Sequence, residues 1–135
     1  MRYLLIFSFI PSILFAASHI EKKIDYSEVH SIYQSMNCFD KATEQEMNSC
    51  GNKSLEASKS KMNSILNLIL SSAENKSKSK IQKAQDDWVL YMQSSCVMET
   101  LDSEGGSAYD SIINFCYETK VNERVSYLQW ILSNK

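Results

Sequence analysis

The sequence predicts an all-α fold, an antiparallel three-helix bundle with a short N-terminal helix, stapled by two disulfides. Three observations predict it. The 135-residue chain has one Pro and three Gly, too few of the turn residues on which sandwiches, barrels, dinucleotide folds and P-loops depend. Apolar residues recur at three- and four-residue spacing along most of the chain, the period of helices packed on helices. The four cysteines are an even set behind an export signal, where an oxidising compartment favours disulfides over thiols. A 44% apolar content excludes wholesale disorder, and a formal charge of -2 gives no electrostatic footprint for a nucleic-acid binder.

Residues 1–18, MRYLLIFSFIPSILFAAS, read as a signal peptide, with a positive charge at Arg2, an apolar stretch from Leu4 to Phe15 and small residues after it. The stretch is shorter than the roughly 20 residues a membrane span needs, and Pro11 interrupts it. No Cys stands at the junction to take a lipid, so residues 19–135 are expected to form one helical domain without a membrane anchor, periplasmic or secreted. A short helix over Tyr26–Met36 follows from the spacing of Val29, Ile32, Tyr33 and Met36. The next helix starts at Thr43-Glu44-Gln45-Glu46, where hydroxyl and carboxylate stand three residues apart as in a capping box. Its stripe runs through Met47, Cys50, Ser54, Ala57, Lys61, Met62, Ile65, Leu66, Ile69 and Ala73. Gly51 inside it suggests close packing, since glycine there costs about 1 kcal/mol relative to Ala.

Asn75 or Ser77 can cap a second helix, with Ile81, Ala84, Trp88, Tyr91, Ser95 and Met98 on its packed face. It must stop at Asp102-Ser103-Glu104-Gly105-Gly106-Ser107, where two glycines adjoin. A third helix carries Tyr109, Ile112, Ile113, Cys116, Tyr117, Val121, Val125, Leu128 and Ile131. In the hairpin of the last two helices Cys96 and Cys116 lie at similar distances from the turn and can face each other. Cys38, just before the capped start, can fold back onto Cys50. The competing pair is Cys50 with Cys96, because the first hairpin also brings those levels together.

These residues resemble the lysozyme inhibitor LprI family. The resemblance rests on Cys38, Thr43, Met47 and Cys50, then Met62-Asn63, Ala84-Gln85, Trp88, Tyr91 and Cys96, and finally Gly105-Gly106-Ser107, Cys116, Arg124 and Leu128. Met92 and Gln93 depart from it, standing where the family often has an Arg and an acid. The resemblance implies a protein partner, a basic lysozyme, bound without chemistry. Lysozymes are typically strongly basic with an acidic catalytic cleft, so an acidic docking surface agrees with that partner. The alternative reading is a periplasmic helical interaction module of the cell envelope with a non-lysozyme partner.

The residues themselves offer no enzyme. Nucleophilic catalysis needs an activated Ser or Cys with a base in reach; the cysteines are expected to be oxidised, and His30 has no partner motif. His19 and His30 lie far from the cysteines, which leaves no metal site and no cofactor site. Asp86 and Asp87 are adjacent, and adjacent helix positions point about 100° apart, so they read as a solvated face. Charge placement says more than the total. From Ala84 through Thr119 stand Asp86, Asp87, Glu99, Asp102, Glu104, Asp110 and Glu118 with no Lys or Arg, whereas Lys53, Lys59, Lys61, Lys76, Lys78, Lys80 and Lys83 crowd the stretch before it. A one-sign surface steers an oppositely charged partner. The candidate partner-binding residues are therefore Asp102, Ser103, Glu104, Gly105, Gly106, Ser107 and Asp110, with the glycines allowing close backbone approach.

Overall fold

Three long helices account for most of the chain in the computed structural model, which describes residues 34–134. The expected signal peptide and most of the expected short helix lie outside the described residues. Gln34–Met36, the last turn expected of that helix, are not helical. The described elements are α1 (Glu44–Ser72), α2 (Asn75–Glu99), a 3-10 turn (Leu101–Ser103) and α3 (Tyr109–Ser133). The fold is an all-α bundle held by two disulfides.

Helix α1 starts where the hydroxyl signal stands. Thr43 has an extended backbone and its Oγ1 accepts the Glu46 N–H at 3.2 Å, while Glu44 and Glu46 place negative charge in the first turn, where the helix dipole favours it. After 29 residues, roughly 43 Å, the backbone becomes extended at Ala73. Only Ala73 and Glu74 connect α1 to α2, and this brevity corrects the expected caps. Glu74 occupies the cap position with no side-chain cap bond, Asn75 is already helical, and the Ser77 N–H is satisfied by the Glu74 carbonyl at 2.8 Å.

The core joins Leu55, Met62, Ile65, Leu66 and Ile69 of α1 to Met92 of α2 and Val121, Val125 and Leu128 of α3. Trp88, Ile81, Tyr117 and Ile131 pack on its margin. On α1, Leu55 and Ser58 turn inward where the expected stripe had Ala57 and Lys61, both exposed. On α2 the expected face is rotated. Gln85, Met92 and Cys96 are buried, whereas Ala84, Tyr91 and Met98 are exposed. Cys96 is the physical reason: its bond to Cys116 of α3 fixes which side of α2 points inward, and Met92 and Gln85 lie on that side at helical spacing.

Helices α1 and α3 pack most closely, and α2 leans chiefly on α3. The α1–α3 seam is polar. Ser111 Oγ donates to Asn48 Oδ1, Asn114 Nδ2 donates to Asn52 Oδ1 at 2.7 Å, and Ser54 Oγ donates to Glu118 Oε1 at 2.5 Å. The Ser35 N–H donates to the same Glu118 oxygen at 2.9 Å, drawing the incoming segment onto the seam. Gly51 lies here without a tight contact: a Cβ on it would meet Asn114 Cβ at 4.0 Å, an ordinary van der Waals distance. The expected close approach at Gly51 is absent.

Cys38 bonds Cys50 and Cys96 bonds Cys116, with Cα–Cα distances of 5.5 and 5.6 Å. The first ties the incoming segment to α1, where Phe39 also sets its ring edge-on to Phe115 of α3 at 5.0 Å. The second ties the last turn of α2 to the second turn of α3. Closing loops of these lengths stabilises the fold by about 3 kcal/mol each in the chain-entropy model.

Candidate functional site

The connection between α2 and α3 is built from successive short hydrogen-bonded turns. The Thr100 N–H and Oγ1 both bond the Cys96 carbonyl, at 3.1 and 2.8 Å, which ends α2. The Ser103 N–H then reaches the Thr100 carbonyl at 2.9 Å, Glu104 that of Leu101 at 3.2 Å, and Gly106 that of Ser103 at 3.0 Å. Gly105 has φ of 78°, a left-handed conformation that side chains disfavour. At Gly106 a Cβ would stand 3.1 Å from the Ser103 carbonyl oxygen, a tight contact that the turn would have to yield to, so Gly105 is demanded by its backbone angle and Gly106 is favoured by lack of space. The Cys96–Cys116 bond holds the two arms.

The turn displays its charge. Asp102, Glu104, Gly105, Gly106, Ser107 and Asp110 are exposed, and Ser103 is half-buried. Ser107 Oγ donates to Glu44 Oε1 at 2.8 Å, bringing the first turn of α1 beside the α2–α3 connection. Glu44 thus joins Asp102, Glu104 and Asp110 at one end of the bundle. It stands 63 positions from Ser107, so sequence reasoning missed it; its only sequence signal was its role in the helix start. Lys76 and Lys80 are exposed at the other end, beside the α1–α2 connection.

Four acids of the uninterrupted acidic run, Glu118, Glu99, Asp86 and Asp87, do not belong to this surface. Glu118 is 3% exposed and bonded within the α1–α3 seam. Glu99 holds Lys120 in a half-buried ion pair at 2.8 Å. Burial works against the Lys120 ammonium, but the hydrogen bond and charge of Glu99, helped by Glu123, outweigh it and hold its pKa above the ordinary lysine value. Asp86 accepts from Gln82 Nε2 at 2.9 Å and Asp87 from Lys83 Nζ at 2.7 Å, one helical turn away in each case.

Gln85 and Trp88 meet at Arg124. The guanidinium Nε donates to Gln85 Oε1 at 3.1 Å and lies over the rings of Trp88 and Tyr127, 5.3 and 5.0 Å from their centroids. Burial lowers the Arg124 pKa, with Tyr127 acting in the opposite direction. This cluster clamps α2 to α3. Met92 is 7% exposed in the core, so this position packs. Beside the clamp, Met62, Asn63, Trp88 and Tyr117 help line an open groove of about 280 Å³ where the three helices meet.

Among the described residues, no group of three or more His, Cys, Asp or Glu could hold a metal ion. No described helix is long and apolar enough to cross a membrane. Against curated proteins and solved structures the chain finds no match. The family model described as Lysozyme inhibitor LprI matches residues 36–128, spanning both disulfides, all three helix cores and the glycine turn. The chain belongs to the lysozyme inhibitor LprI family.

Proposed function

We propose that this chain is exported, loses residues 1–18, and binds a lysozyme-like muramidase, blocking it sterically through the acidic end of the bundle. Its family is one of inhibitors, and the proposal gives the chain no chemistry of its own. The observation that carries the reading is the Ser107–Glu44 contact, which gathers Glu44 with Asp102, Glu104 and Asp110 on an exposed, disulfide-braced end. Such a surface accelerates encounter with a basic protein and repels acidic ones. The glycines let the backbone of Gly105 and Gly106 approach a cleft closely, with Ser103 and Ser107 as polar contacts.

The experiment is a comparison of the oxidised protein with a variant carrying Asp102→Asn, Glu104→Gln and Asp110→Asn. The expected outcome is weaker lysozyme binding with a shallower salt dependence, the change residing mainly in the association rate. Unchanged affinity and salt dependence would remove this surface from the interaction.

A further inference from the structure

The outer side of α2 carries a surface that neither the core nor the turn uses. Leu90, Tyr91, Val97 and Met98 are 63%, 62%, 45% and 68% exposed, and Leu101 in the following 3-10 turn is 54% exposed. At about 100° per residue Leu90, Tyr91, Val97 and Met98 fall within an arc of about 120°, with the exposed Ser94 among them, on the side opposite Gln85, Met92 and Cys96, and Leu101 follows beyond the helix end. A contiguous apolar stripe of this kind marks an interaction surface. Its two ends differ in charge. Lys80 and Lys83 precede it on the same face, with Lys76 before them held by Glu74 at 2.8 Å, and Asp102 and Glu104 follow it, all exposed. Asp87, also on this face, is already held by Lys83.

A face that is basic at one end, apolar in the middle and acidic at the other is complementary to itself when reversed. We infer that two copies of this chain pair through antiparallel α2 helices about a two-fold axis. Setting Leu90 of one copy against Val97 of the other brings Lys80 and Lys83 of one copy toward the end of the other's α2, which Asp102 and Glu104 follow. Both ends are satisfied by the same register, as an isologous interface requires, and the antiparallel helix dipoles add to the attraction. A uniformly basic partner fits this face less well, because it would meet Lys76, Lys80 and Lys83 beside the stripe.

Sedimentation equilibrium on the oxidised chain tests this pairing. Asp102 and Glu104 also belong to the proposed lysozyme surface, so self-association is measured with no lysozyme present and its outcome is independent of that reading. The wild-type chain should dimerise with a Kd of about 10–100 μM, the regime of a small interface. Met98→Asp should weaken this about tenfold or more, and Tyr91→Ser reads the same contact if Met98→Asp perturbs folding.

Two charge variants fix the orientation. A chain with Lys80→Glu and Lys83→Glu, and a second with Asp102→Lys and Glu104→Lys, should each be monomeric alone and form a mixed dimer when combined. A wild-type monomer at about 500 μM, well above the expected Kd, would overturn the proposal. So would charge variants that dimerise alone as well as wild type does, or stripe resonances that shift only on adding a basic protein.

Discussion

Glu118 shows how a single residue organises the interior here. One of its oxygens takes both the Ser54 hydroxyl, itself fully buried, and the Ser35 N–H, so it binds α1, α3 and the disulfide-tethered segment before α1. Removing it strands the buried Ser54 hydroxyl, and the penalty for a buried donor without a partner exceeds the net worth of the bond. Glu118→Ala should therefore lower stability by about 1–3 kcal/mol, and Glu118→Gln, which keeps an acceptor, by less; urea denaturation of the oxidised proteins measures both. Lys120 gives a pH signature. Its folded pKa is raised by Glu99 despite the opposing effect of burial, so its contribution is complete below the unfolded value of about 10.4 and is lost as pH rises through the folded one. The thermal midpoint gap between wild type and Lys120→Met should stay constant from neutral pH to about 10 and narrow above it. A gap that ignores pH in that range would remove the ion pair as its source.

At the level of the elements, Gly51 carries the clearest expectation. It sits inside α1 with space for a methyl group, 4.0 Å from Asn114 Cβ, so Gly51→Ala should stabilise the protein by about 1 kcal/mol through helix propensity alone. Thermal unfolding reads the gain, and a loss would mean that the α1–α3 seam is tighter than its geometry indicates. The helices themselves were legible in sequence. Thr43 marked the start of α1, and the adjoining Gly105 and Gly106 marked the turn before α3, because caps and left-handed turns demand particular residues. The inward side of α2 was less legible. Its apolar residues form two stripes, one through Trp88 and Met92 and another through Leu90, Tyr91 and Met98, and periodicity cannot say which faces the core. Cys96 decides, since a disulfide to α3 must point inward. The polar seam was hidden for another reason: Ser58, Asn114 and Glu118 look like solvated positions until two helices bring them together, and Ser54 alone stood on the expected inward stripe.

For the molecule as a whole, the modest formal charge of -2 conceals a local cluster of exposed acids, Glu44, Asp102, Glu104 and Asp110, at one end of the bundle. The turn from Asp102 to Asp110 was legible because its glycines and acids are contiguous. The addition of Glu44 required the fold, since only packing α1 beside the α2–α3 connection unites them. The two disulfides divide the work between fold and surface. Replacing Cys96 and Cys116 with serine should cost about 2–5 kcal/mol and also loosen the turn, weakening lysozyme binding; replacing Cys38 and Cys50 should cost a similar amount while leaving the turn braced. Calorimetry alongside binding at a temperature where all variants remain folded separates the two effects, and equal binding losses would contradict the division.

We propose that the acidic end of this family member captures and blocks a muramidase. Titrating the purified, oxidised protein into a lysozyme turnover assay at low and high salt tests it most directly. The expected result is saturable inhibition at low salt that weakens as ionic strength rises. Full turnover in the presence of a large molar excess at low salt would contradict it.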